Sequence, residues 1–243
     1  MNNKRKVPEL SLMSYIEGSG ADRVTFSNEL YRGLRDYGFI ILVDHPIDQS
    51  LISKAYNVVH EFFQLPLSAK SKYIYQNGGG LRGYTPFGIE HAKDCKIADL
   101  KEFWHVGRET LADENLKAFF PDNIWPREVS EFKKTMLEIY EGMDVTSQLI
   151  MDALGVALDV EPDYFANMLR DGNSILRAIH YPPISNESSP GAVRAAAHED
   201  INLITCMVGA TASGLELLDR TGEWLPVNCN EKQLVIDSGD MLS

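Results

Sequence analysis

Cysteine is scarce in this chain. Cys95, Cys206 and Cys229 are odd in number and far apart, which argues against a disulfide framework and against a zinc site built on paired thiolates. Long apolar runs are also missing. No stretch approaches the length of a membrane span, and the opening MNNKRKVPEL has a basic flank with no apolar segment behind it, so a cytoplasmic protein without a membrane partner is expected. Basic residues are outnumbered, 23 Lys and Arg against 35 Asp and Glu, for a formal charge of −12. Such a surface repels nucleic-acid backbones and anionic lipid. The single dense basic cluster, Lys4 to Lys6, reads as a solvated tail. Internal repeats and low-complexity tracts are absent too.

What is present is enough apolar residue, 44% of 243, to bury a sizeable core. Residues 22–37 place Val24, Leu30, Leu34 and Tyr37 at helical spacing, and Gly38 stops the helix. A strand is expected at Phe39 to Val43. A second amphipathic helix follows Asp48 and ends at Leu65-Pro66, and a shorter one starts at Ser68. Residues 76–110, rich in glycine and aromatics, read as ordered loops with short strands. Pro126 opens a long helix that runs to about residue 157.

From Ser174 onward the texture changes to short β-branched and apolar runs punctuated by Pro, Gly, Asn and Asp. Arg220-Thr221-Gly222 marks a hairpin turn, with Gly222 supplying positive φ. Helices first and strands afterwards predict a mainly β protein with helices, a sandwich or jelly roll buttressed by them. The expected division is a helix and strand region at 1–120 and a long helix with a β core at 121–243, integrated into one structural domain.

Two motifs invite chemistry. GGGLRG at 78–83 has the form of a dinucleotide fingerprint, but Pro86 and Gly88 oppose the helix that should follow it, so it reads as a loop beside a pocket. Five histidines, His45, His60, His91, His105 and His180, have no carboxylate or cysteine at ligand spacing and read as surface or hydrogen-bonded core residues. His198 differs because Asp200 follows two residues later. If residues 192–208 are extended, both side chains share one face and Glu199 takes the other. His-x-Asp then supplies two of the three ligands of a facial Fe(II) site, which needs one carboxylate and two neutral imidazoles.

The blocks VPELSLMSYIEG, LRDYGFIILVDHPIDQSLISKAYNVVHEFFQLPLSAKSKY, RGYTPFGIEHAKDCKIADLKEFWHVG, RAIHYPPI, AHEDINLIT, GLELLDRTGEWLPVN and LVIDSGDML resemble, in order, the isopenicillin N synthase-like branch of the Fe(II)/2-oxoglutarate-dependent dioxygenases. The resemblance implies a double-stranded β-helix core with helices packed on it. It makes His198 and Asp200 the catalytic iron ligands, and Tyr181 a contact to the cosubstrate. Many relatives carry Asn where this chain has Ile179. Arg82, Tyr84, Phe87 and Phe103 fall in segments that line the substrate pocket of relatives.

The implied cofactors are Fe(II), 2-oxoglutarate and O2. The implied reaction is hydroxylation, desaturation or cyclisation of a small organic molecule, with release of succinate and CO2. Two other readings stay open: an isopenicillin N synthase-type oxidase that needs no 2-oxoglutarate, and a non-catalytic jelly-roll binding module.

One departure stands out. The family places a second histidine and an Arg-x-Ser about fifty residues beyond the His-x-Asp, whereas no histidine follows His198 before Ser243. The favoured expectation is a fragment of a longer enzyme with an incomplete β core; a naturally truncated inactive relative and a chain that borrows its last ligand from elsewhere stay open.

Overall fold

A computed structural model describes residues 6–75, 80–92, 96–109, 115–116, 119–170, 172–184 and 190–242. Cys95 and the glycines at 78 and 79 lie outside the described residues. The chain divides into two compact units, one formed by residues 1–49, 142–167 and 199–243, the other by residues 50–141 and 168–198.

The first unit opens with strand β1 (Glu9–Ser11), a short helix α1 (Leu12–Ile16) and the long helix α2 (Gly20–Tyr37). A capping box starts α2: the Asp22 amide donates to Ser19 Oγ, and the Ser19 amide donates to Asp22 Oδ2 at 2.8 Å, satisfying two amides that the first helical turn leaves without partners. Gly38 ends it in the left-handed region, φ 75°, with its N–H on the Leu34 carbonyl. The chain then turns directly into β2 (Phe39–Val43), whose Ile40 and Leu42 are fully buried.

β1 pairs parallel to β2, β2 antiparallel to β9 (Leu234–Ser238), and β9 antiparallel to β6 (Ile204–Val208). A hairpin of β7 (Glu216–Leu218) and β8 (Trp224–Pro226) forms a separate two-stranded sheet. Its turn is held by Asp219 Oδ1, which accepts from the Thr221 amide and hydroxyl and the Glu223 amide, with Gly222 at φ 83°. Val7, Ile41, Leu217, Leu225, Val227 and Val235 make one apolar core beneath these strands.

The second unit contains most of α3 (Gln49–Phe63), then α4 (Leu67–Lys70) and a 3-10 turn at Ser71–Tyr73, and the sheet β3 (Gly83–Thr85), β4 (Glu102–Gly107) and β5 (Ile175–His180), antiparallel throughout. The first part of α5 (Phe132–Leu158) belongs here and its second part to the other unit. α6 (Tyr164–Arg170) divides at 167 and 168. Phe62, Trp104 and Phe132 pack edge to face and tilted, with centroids 4.7 to 5.6 Å apart, and Tyr84 meets Phe62 at 5.7 Å. Stacking of this kind adds to the burial of large aromatic area.

The jelly roll, or double-stranded β-helix, expected from the strand-rich second half and from the isopenicillin N synthase-like resemblance is not formed. The strands fall into open sheets of four, three and two, ordered β1-β2-β9-β6, β3-β4-β5 and β7-β8, and none closes on itself among the described residues. The reason lies in strand pairing. β5 and β9 bind the earlier strands β4 and β2 rather than wrapping round their neighbours, and barrel closure needs a continuous staggered set of strands. The result is a mixed α/β architecture. No described helix is long and apolar enough to cross a membrane.

Candidate functional site

His198 and Asp200 do not lie on a strand. β6 begins only at Ile204, and residues 195–203 form an irregular lead-in. The alternation expected along an extended 192–208 segment is therefore replaced by individual hydrogen bonds. His198 is exposed, and its Nδ1 sits 2.7 Å from the Ala196 carbonyl. A carbonyl only accepts, so Nδ1 carries the proton and the lone pair of the neutral ring is on Nε2.

Asp200 is half-buried. Asn202 Nδ2 donates to Thr205 Oγ1 at 2.8 Å, which turns the Thr205 hydroxyl proton onto Asp200 Oδ2 in a short hydrogen bond. The Asp240 amide holds the Asp200 carbonyl at 3.0 Å.

An imidazole fixed in its Nε2 lone-pair form and a hydrogen-bonded carboxylate have the N and O donor chemistry that suits Fe(II), and the backbone carbonyl on the far imidazole nitrogen is the usual orienting partner of a metal-binding histidine. Each residue, taken by itself, offers a donor atom of a type that Fe(II) accepts. Among the described residues, no group of three or more His, Cys, Asp or Glu is placed to hold an ion.

The β3-β4-β5 sheet carries two charge networks that spacing in the sequence did not reveal. On one face Glu102, 5% exposed, binds Lys70 Nζ at 2.8 and 3.0 Å, accepts from Tyr84 Oη at 2.5 Å and meets His180 Nδ1 at 2.8 Å. Phe63 stacks on the His180 ring at 5.1 Å. Burial opposes the charge on Glu102, but Lys70, Tyr84 and His180 outweigh it and hold the carboxyl below its ordinary pKa. Tyr84 moves the other way: burial, then the Glu102 carboxylate, pushes its phenol far up.

On the other face Arg177 donates to His105 Nε2 and Glu90 Oε1, and its guanidinium lies 4.5 Å over the Phe103 ring. Lys101 bridges Glu90 and Asp99 at 2.8 and 2.9 Å. Burial works against the Lys101 charge, and the two carboxylates more than offset it, so its pKa is raised. The signal that could have revealed both networks is DLKEFWHV itself: Asp99, Lys101 and Glu102 lie in and beside a strand whose six residues are all buried, and buried charges need partners.

The remaining expected site residues separate by exposure. Tyr181 follows β5 and is exposed. Partial burial raises its phenol pKa, with Lys101 and Arg177 lowering it and Asp99 and Glu90 raising it. Ile179, also exposed, lies on β5 opposite Phe103. Arg82 is 1% exposed and donates to the Pro121 and Leu81 carbonyls and to Asn173 Oδ1, so it braces the fold of its unit. Tyr84 and Phe103 are buried as well. Of the four pocket candidates, Phe87 alone presents an exposed side chain. The glycine-rich segment leads into the strand β3, not a helix, as its Pro86 and Gly88 suggested.

Comparison with known proteins adds the family. Residues 7–128 match the model described as non-haem dioxygenase in morphine synthesis N-terminal, and residues 172–243 match the 2OG-Fe(II) oxygenase superfamily. The chain is 26% identical over 250 residues to the 2-oxoglutarate-dependent dioxygenase citB of Monascus ruber, covering 98% of this chain and 75% of that one. It is 27% identical over 248 residues to the proline hydroxylase buaE of Petromyces alliaceus, covering 98% and 76%.

Among solved structures, a 2OG-Fe(II) oxygenase family protein from Caulobacter crescentus superposes with a TM-score of 0.83 at 40% identity, covering 96% of this chain and 74% of that one. A full-length Neurospora crassa protein, solved in complex with alpha-KG, gives 0.84 at 25% identity, covering 100% and 76%. Two family models in chain order, with His198 and Asp200 inside the second, lead to one assignment: the chain belongs to the 2OG-Fe(II) oxygenase superfamily.

Proposed function

We propose that this protein is a non-haem Fe(II)- and 2-oxoglutarate-dependent oxygenase acting on a small organic molecule, with His198 and Asp200 as two of its iron ligands. The observation that carries the reading is the 2.7 Å contact between His198 Nδ1 and the Ala196 carbonyl, within the segment matched by the oxygenase superfamily. Fe(II), when bound with 2-oxoglutarate and O2, supplies the oxidising chemistry, releasing succinate and CO2.

The chain's own residues do the rest. Ala196 fixes the His198 ring, and Thr205 and Asn202 fix the Asp200 carboxylate, so both donors are oriented before metal arrives. Such preorganisation limits the reorganisation needed on binding. Tyr181 is assigned to the cosubstrate and Phe87 to the substrate, since both present exposed side chains. The relative named as a 2-oxoglutarate-dependent dioxygenase and the Neurospora crassa structure in complex with alpha-KG support 2-oxoglutarate use over the oxidase alternative.

The test is Fe(II)-dependent conversion of 2-oxoglutarate to succinate with matching O2 consumption, run against a panel of small organic acids, amides and heterocycles. Succinate that depends on both Fe(II) and O2 is expected. Oxygen consumption without succinate would replace this reading with the oxidase, and metal binding with neither product would leave a binding module.

A further inference from the structure

We infer that Asp99, distant in sequence from the iron-ligand pair, is the positioning residue that sets the tautomer and aim of His198; the inference rests on His198 being an iron ligand. Three consecutive contacts carry it. Asp99 is 2% exposed, and its Oδ2 binds Lys101 Nζ at 2.9 Å. Its Oδ1 accepts from the Ala196 amide at 3.0 Å. Ala196 in turn offers its carbonyl to His198 Nδ1 at 2.7 Å.

Neighbouring backbone bonds run beside this path. The Leu100 amide donates to the Val193 carbonyl and the Asp99 amide to the Glu90 carbonyl, each at 2.9 Å. The irregular segment before His198 is thus tied at two points, Val193 and Ala196, to the chain entering β4.

Each link has a physical consequence. A buried carboxylate needs a cation and hydrogen-bond donors, and Asp99 has Lys101 on one oxygen and a backbone amide on the other. Neither oxygen can swing away without leaving a buried charge unmatched. The Ala196 amide is consequently fixed, and with it the direction of the carbonyl one Cα further on. That carbonyl requires a proton on Nδ1 and so places the metal-binding lone pair on Nε2. In the absence of Asp99 the segment has no regular secondary structure to hold it, and the imidazole populates both tautomers.

The experiment uses the 243-residue chain, metal-free, with nitrogen-15 labelled histidine. In the wild type, NMR of the imidazole nitrogens should report His198 as a single Nδ1–H tautomer at neutral pH. An Nε2–H tautomer there overturns the proposal without any variant. In Asp99→Ala, His198 should show averaged shifts of both tautomers. Because that variant leaves Lys101 buried beside Glu90 alone, the paired Asp99→Ala/Lys101→Met variant removes both charges and should give the same averaging with a smaller loss of melting temperature. A folded variant with the wild-type tautomer overturns the proposal.

A second arm titrates Mn(II) calorimetrically in the presence of 2-oxoglutarate. Loss of an orienting partner should weaken binding about ten- to a hundredfold, with wild-type affinity in a folded variant again overturning it. A wild type that binds no Mn(II) while showing the single Nδ1–H tautomer would count against the iron-ligand reading and leave the Asp99 linkage standing, so the two failures are distinct.

Discussion

Arg177 Nε donates to His105 Nε2 across 2.6 Å, and the same imidazole gives its Nδ1 proton to the Gly80 carbonyl, also at 2.6 Å. One nitrogen accepts and the other donates, which only a neutral ring satisfies. Burial, followed by the Arg177 charge, pushes the His105 pKa down to about 4 from an ordinary 6.5.

Acid stability should carry the mark of His105. Its pKa is lower in the folded chain than in the unfolded one, so between pH 6.5 and about 4 the unfolded state binds the extra proton and stability falls as pH falls. Below about 4 this contribution levels off. Melting temperatures of wild type and His105→Gln measured across that window should converge toward acid, with the wild type losing more. Parallel curves would show that His105 does not titrate as its surroundings require.

The buried Glu102 should be far more important to stability than an exposed acid. Glu102→Ala strands the Lys70 cation in a site where it is 7% exposed, and breaking a buried pair in this way costs about 3–5 kcal/mol. Replacing both partners, as Lys70→Met/Glu102→Leu, should recover much of that loss. Urea midpoints check it. Equal losses in the single and double variants would assign the effect to Tyr84 and His180 rather than to the ion pair.

Gly107 lets the Arg82 guanidinium lie against the β4 backbone. A Cβ at that position would come within 1.9 Å of Arg82 Cζ, so Gly107→Ala should destabilise by about 1–3 kcal/mol through overpacking. Truncating Arg82 removes the obstacle. The Gly107→Ala/Arg82→Ala pair should therefore be less damaging than the sum of the single changes, and additive losses in thermal unfolding would contradict the packing described.

Several local signals in the sequence hold in the fold, although the long helix expected to open at Pro126 begins only at Phe132. Gly38 ends α2 and strand β2 occupies the expected Phe39–Val43, while the Arg220-Thr221-Gly222 turn joins β7 to β8. What could not be read was partner choice. Nothing near Ile175–His180 says that it pairs with Glu102–Gly107, or that Leu234–Ser238 pairs with both Ile204–Val208 and Phe39–Val43, and those pairings are what replace the expected jelly roll by open sheets.

The site divides in the same way. The proposed His-x-Asp pair stood out in the sequence because its two residues are close together. Asp99, which tethers Ala196, and Thr205, which orients Asp200, were not, because a buried carboxylate or hydroxyl announces its partner only once the chain is folded. The strand alternation invoked for residues 192–208 fails where the backbone is irregular, and hydrogen bonds to Ala196 and Thr205 take over its role.

Whether His198 and Asp200 hold the metal can be read from anaerobic addition of Fe(II) and 2-oxoglutarate. The wild type should develop a visible metal-to-ligand charge-transfer absorption that is lost in His198→Ala and in Asp200→Ala. The same band, unchanged in either variant, would contradict their role as iron ligands.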